Sequence, residues 1–157
     1  MASRSYSNPS EAGTQSVAKP NDPAPGRGRG AGKAPWEAQV AGCRALRIGA
    51  HVWVTGATAL RADGRVFGRG DSERQTGRAL DIVEKALEKV GARIGHVVRT
   101  RVFLTDIAQA PGVERAHQAR FGRPPASSIV EVSALRSPAM LVEIEAEAFV
   151  PEPANRP

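Results

Sequence analysis

The stretch Ala139–Val150 constrains the chain more than any other. Met140, Val142, Ile144, Ala146 and Ala148 alternate there with Leu141, Glu143, Glu145, Glu147 and Phe149. Successive side chains of a strand point to opposite faces, so this period of two predicts a strand with one apolar and one largely acidic face. The apolar face has to lie against a packed layer. A second alternating run, Val97–Thr105, sets Val98, Thr100, Val102 and Leu104 against Arg99, Arg101, Phe103 and Thr105.

The covering layer is legible too. Leu80, Val83, Leu87 and Val90 recur at helical spacing, and Gly91 supplies a left-handed stop. Ser72-Glu73-Arg74-Gln75 reads as a capping box at the start of that helix. A second helix is expected from about Pro111 to Phe121, packing through Val113, Ala116, His117 and Phe121. Shorter strands are expected at Arg44–Ile48, His51–Ala57, Val66-Phe67 and Ser128–Ser133, with turns at Gly49-Ala50 and Asp63-Gly64. The resulting order, ββ(β)αβαββ, is an α+β sheet with two helices on one face. The other face is expected to carry Phe103, Ile129, Leu141 and Phe149 among charged residues. Such a mixture suits a subunit interface that contains a cleft.

Composition sets the boundaries. At 157 residues the chain holds one ordinary domain with some length to spare. Residues 1–35 are rich in Pro, Gly, Ser and Ala, with little besides Tyr6 and Val17 to bury. They read as a disordered basic tail. The domain is then 36–150, followed by a short C-terminal tail, 151–157. Half of the net charge of +6 sits on the N-terminal tail, so no basic binding face is demanded of the domain. Gly26–Lys33 does not fit a phosphate loop, because Arg27 stands at the first required glycine and Ala34 at the final hydroxyl. It reads as a basic linker.

Other classes drop out in turn. A lone cysteine, Cys43, cannot form an intramolecular disulfide. No apolar run approaches the ~20 residues of a membrane span, and no secretory apolar region opens the chain. A cytoplasmic location is the expectation. His51, His96 and His117 show no metal-ligand spacing, so neither a metal nor a cofactor is expected.

Several segments together resemble the RidA (YjgF) family. They are Gly49–Gly56, Gln75 with the helix ending at Val90-Gly91, His96–Asp106, and Phe121 followed by Pro125-Ala126, Val130-Glu131-Val132, Leu135 and Val142–Ala146. The resemblance spans roughly residues 36–150 and implies a RidA/chorismate-mutase-like sheet, a homotrimer and clefts between subunits. It also implies binding of small carboxylic-acid metabolites, with many members hydrolysing 2-imino or enamino acids to 2-oxo acids and ammonia. By motif position Glu143 takes the place of the family's catalytic acid, Gly56 that of its pocket glycine, and Ile129 a lining position.

The family's carboxylate-anchoring arginine is Ser127 here. A serine lacks the charged, two-pronged donor that guanidinium offers a carboxylate. A hydrogen bond to a charged group is worth roughly 1.5–3 kcal/mol, so a 2-imino acid should bind one to two orders of magnitude more weakly. Arg101 and Arg44 are the candidates for replacing it, with Arg101 either reshaping the pocket beside Glu143 or forming an interface ion pair with it. Two functions stay open: an imine or enamine deaminase with an altered anchor, and a non-catalytic metabolite-binding or regulatory trimer. Nucleic-acid binding is disfavoured, since no basic stripe with interleaved aromatics is present.

Overall fold

The computed structural model describes residues 27–30 and 43–151. Six strands form one sheet: β1 (Arg27–Gly30), β2 (Ala45–Ile48), β3 (His51–Thr58), β4 (Val97–Leu104), β5 (Ala126–Glu131) and β6 (Val142–Phe149). Their order across the sheet is β1-β2-β3-β6-β4-β5. Among the described strands only β4 and β5 run parallel, and helix α2 (Ala110–Arg120) makes the crossover that parallel neighbours require. Helix α1 (Ser72–Glu88) lies beside α2 on the same face.

The alternating segment takes the place its pattern demands. β6 is bonded on both sides, to β3 and to β4. Val142, Ile144, Ala146 and Ala148 are buried against Leu80, Val83 and Leu87 of α1. Glu143, Glu145 and Glu147 are therefore held on the open face.

Several local expectations give way. Asp71, not Ser72, caps α1: its carboxylate accepts from the Arg74 amide at 2.9 Å. Ser72 already lies inside the helix, where its hydroxyl donates to the Gln109 carbonyl. The carboxylate takes the exposed cap and leaves the hydroxyl to join the two helices. Gly91 does end the helix, at φ +72°, with the paired Ala92-to-Leu87 and Gly91-to-Glu88 bonds of a Schellman motif.

In β4 it is Val97, not Val98, that packs inward, because a register irregularity falls between Val97 and Arg99. Val66-Phe67 makes only a bridge from Val66 to Leu60. Ile129 does not join the open face. It pairs in register with Val102 of the parallel neighbour, and directly opposed residues share a face, so it turns toward the helices. Part of the stretch expected to be disordered, Arg27–Gly30, forms β1 against β2. A ladder is made by backbone groups, and a count of apolar side chains does not see it. The rest of 1–35, and residues 152–157, fall outside the described residues.

Gln75, the other half of the expected capping box, is fully buried. Its Nε2 donates to the carbonyls of Ala139 (2.9 Å) and Gly68 (3.2 Å), and its Oε1 accepts from the Leu141 amide (2.8 Å). One side chain thus ties α1 to the loop before it and to the entry of β6. Replacing Gln75 with Leu strands these backbone groups and should cost about 2–4 kcal/mol in urea unfolding. A loss under about 1 kcal/mol would mean that water replaces the amide.

Candidate functional site

The expected site residues fall into two groups, one on each face of the sheet. The first surrounds Glu143. Between Val54 and Ala57, β3 carries one residue more than β6 opposite, a bulge that brings Gly56 under the Glu143 side chain. A Cβ on Gly56 would overlap the Glu143 carboxylate, so glycine here lets that carboxylate lie against the backbone.

Arg44, just before β2, is buried. Its Nη1 donates to the Gly56 carbonyl at 2.6 Å and to Thr55 Oγ1 at 3.5 Å. The Thr55 amide in turn donates to the Arg44 carbonyl at 3.1 Å. A buried guanidinium thus braces the bulge and places positive charge beside Glu143. Burial raises the Glu143 carboxyl above the usual carboxylate range, neighbouring Glu145 adds to the rise, and Arg44 opposes it.

Arg101 occupies the same open face but is not Glu143's partner. Its guanidinium pairs with Glu145 at 3.2 Å and Glu147 at 2.8 Å. Antiparallel pairing sets Arg101 opposite Glu145, whereas the residue opposite Glu143 is Phe103. Within one protomer Arg101 does not lie beside Ser127. Its register partner on β5 is Ser128, while Ser127 is paired with Thr100 and points to the helix side.

The second group lies there, between α2 and β5. The Thr100 hydroxyl is 2.8 Å from Ser127 Oγ and 3.0 Å from His117 Nε2, and the Ser127–His117 distance is 3.3 Å. Thr100 is fully buried, whereas Ser127 is exposed. Val102, Phe121 and Ile129 help to line a pocket of about 310 Å³ beside them. Burial holds the His117 imidazole below the usual histidine value. Sequence reasoning placed His117 on a packing face and Thr100 in the core. The signal it lacked was the parallel register, which alone brings Thr100 and Ser127 together.

Among the described residues no group of three or more His, Cys, Asp or Glu is placed to hold a metal. No described helix is long and apolar enough to cross a membrane.

Residues 33–150 match the family model described as Endoribonuclease L-PSP. A crystal structure of a YjgF/YER057c/UK114 family member from Mycobacterium tuberculosis is 41% identical, covers 79% of this chain and 99% of its own, and superposes with a TM-score of 0.70. The Escherichia coli YjgF gene product is 27% identical over 78% of this chain and 93% of its own, with a TM-score of 0.64. An uncharacterised Streptomyces coelicolor protein is 34% identical over 73% of this chain and 86% of its own length.

The two shifted groups predict opposite pH effects on stability. Glu143 has a raised native pKa, so its contribution is full below its ordinary value and lost as pH rises through the native value. Glu143→Gln should therefore raise Tm at pH 7, with the gain disappearing below about pH 4. His117 has a depressed native pKa, so its contribution is present above its ordinary value and lost as pH falls. His117→Gln should flatten the loss of Tm below about pH 6.5. A Tm profile of Glu143→Gln that stays below the native one at pH 7 would contradict the first expectation.

Proposed function

This chain belongs to the YjgF/RidA/UK114 family, and on that premise we propose that it is a homotrimer whose intersubunit clefts hydrolyse small imines or enamines to carbonyl compounds and ammonia. The observation that carries this reading is Glu143. Its half-buried carboxylate has a raised pKa, lies against the bare backbone of Gly56 and faces the Arg44 guanidinium across the bulge. A carboxylate moved toward neutrality is suited to passing a proton back and forth.

In the reaction a water oxygen bonds to the imine carbon while Glu143 takes its proton. The imine nitrogen gains a proton from solvent to give a carbinolamine. Glu143 returns the shuttled proton to the amine, the hydroxyl proton passes to solvent, and the C–N bond breaks as the C=O bond forms, releasing ammonia. Gly56 leaves room for the Glu143 carboxylate, and Ser127 and Ile129 supply the other wall. Glu143 and Ser127 lie on opposite faces of one protomer's sheet, so a ligand reaching both needs two protomers. That agrees with a cleft between subunits.

One observation favours a second reading, a non-catalytic metabolite-binding trimer. Ser127 carries no cation, and Arg101 is committed to Glu145 and Glu147. Ammonia release from imines generated in situ by an amine or amino-acid oxidase separates the two readings. The native protein should accelerate it, and Glu143→Ala should lower kcat/KM by about 10²-fold or more. Activity that survives Glu143→Ala would remove Glu143 from the chemistry. An inactive native protein that still binds the product carbonyl compound would support the second reading. Light scattering should give three times the mass of the chain.

A further inference from the structure

The pocket between α2 and β5 has an apolar body and one polar end. Its volume, about 310 Å³, falls in the range of small-ligand sites, roughly 300–1,000 Å³. Val102, Phe121, Pro124 and Ile129 form the walls, and His117 and Ser127 mark the end.

The hydrogen bonds at that end form a continuous chain. With the Ser127 hydroxyl donating to the Pro125 carbonyl at 3.1 Å, the Thr100 hydroxyl can donate to Ser127 and His117 Nε2–H to Thr100, the tautomer that completes the chain. Each hydroxyl then gives one hydrogen bond and receives one, and no formal charge is required. Exposed Ser127 keeps a lone pair for a ligand N–H, and its own proton can turn from Pro125 to a ligand acceptor.

The charges around this end point the same way. Among the described residues no lysine or arginine lines the pocket, and the ionisable side chain that joins His117 there is acidic, Glu114. The imidazole is held toward its neutral form by burial. On this protomer a carboxylate at Ser127 would meet neutral donors and the repulsion of Glu114, with no lysine or arginine of the pocket lining to offset whatever hydration it gave up. A head group that both gives and takes a hydrogen bond loses much less.

We propose that this pocket binds the uncharged head of a small ligand, an imine or primary amide attached to an apolar body, and discriminates against the corresponding free carboxylate. The proposal rests on the small-molecule reading above and narrows its substrate class: the preferred imine lacks the acid group that an arginine at position 127 would hold.

The test uses a matched pair of probes, 4-methyl-2-oxopentanoate and its primary amide, titrated against the full-length protein by calorimetry and by NMR of the histidine ring signals. The native protein should bind the amide at least about tenfold more tightly than the acid, with His117 signals moving. Ser127→Ala should lose most of that preference. Ser127→Arg should reverse it, which excludes simple misfolding as the cause. If the native protein binds the acid as tightly as the amide, or more tightly, the neutral-head proposal is wrong while small-molecule binding stands. If neither probe binds to the native protein or to Ser127→Arg, the small-molecule reading falls, and the proposal with it.

Discussion

The neighbours of β6 sort its alternating side chains between the two faces of the sheet. The strand is bonded on both sides, so it cannot rotate, and Val142, Ile144, Ala146 and Ala148 are dry on one face. A slip of one residue would drive three glutamates into that core and expose its apolar residues. The cost of burying unpaired carboxylates is therefore what fixes Glu143 on the open face. The bulge of β3, the bare backbone of Gly56 and the inward reach of Arg44 are all arranged around that carboxylate.

The features legible in the sequence are those set by period and by backbone conformation. The alternation of β6, the apolar stripe of α1 and the stop at Gly91 follow from side-chain geometry alone. The meeting of Gly56 with Glu143 was reachable only through family motifs, since the two lie far apart in the chain. What escaped depends on choices between near-equivalent options. Asp71 and Ser72 are adjacent, both can cap a helix, and the second helix decides between them by offering Gln109 to the serine. One irregularity turns Val97 inward instead of Val98. The facing of Ile129, and with it the His117–Thr100–Ser127 chain, depends on the register between two strands joined by a crossover, which no local pattern encodes.

The two faces of the sheet differ in their electrostatics. The open face collects charge: Arg101 holds Glu145 and Glu147 together, and Arg44 stands beside Glu143. The face under α2 is quiet, with hydroxyls, an imidazole and aliphatic walls. The first environment suits proton transfer, because burial already displaces the Glu143 pKa there. The second suits selection by shape and hydrogen bonding, through the His117, Thr100 and Ser127 groups beside apolar walls.

The short strand β1 has a consequence for the molecule in crowded solution. A bare sheet edge is a template on which any extended chain can add. Arg27–Gly30 occupies the backbone groups of β2 on that side with a strand of only four residues, alternating arginine with glycine. Short length, a weak strand former and like charges make a poor surface for further addition. A segment too poor in apolar residues to build a core thus leaves that side of the sheet a poor template for edge-to-edge addition.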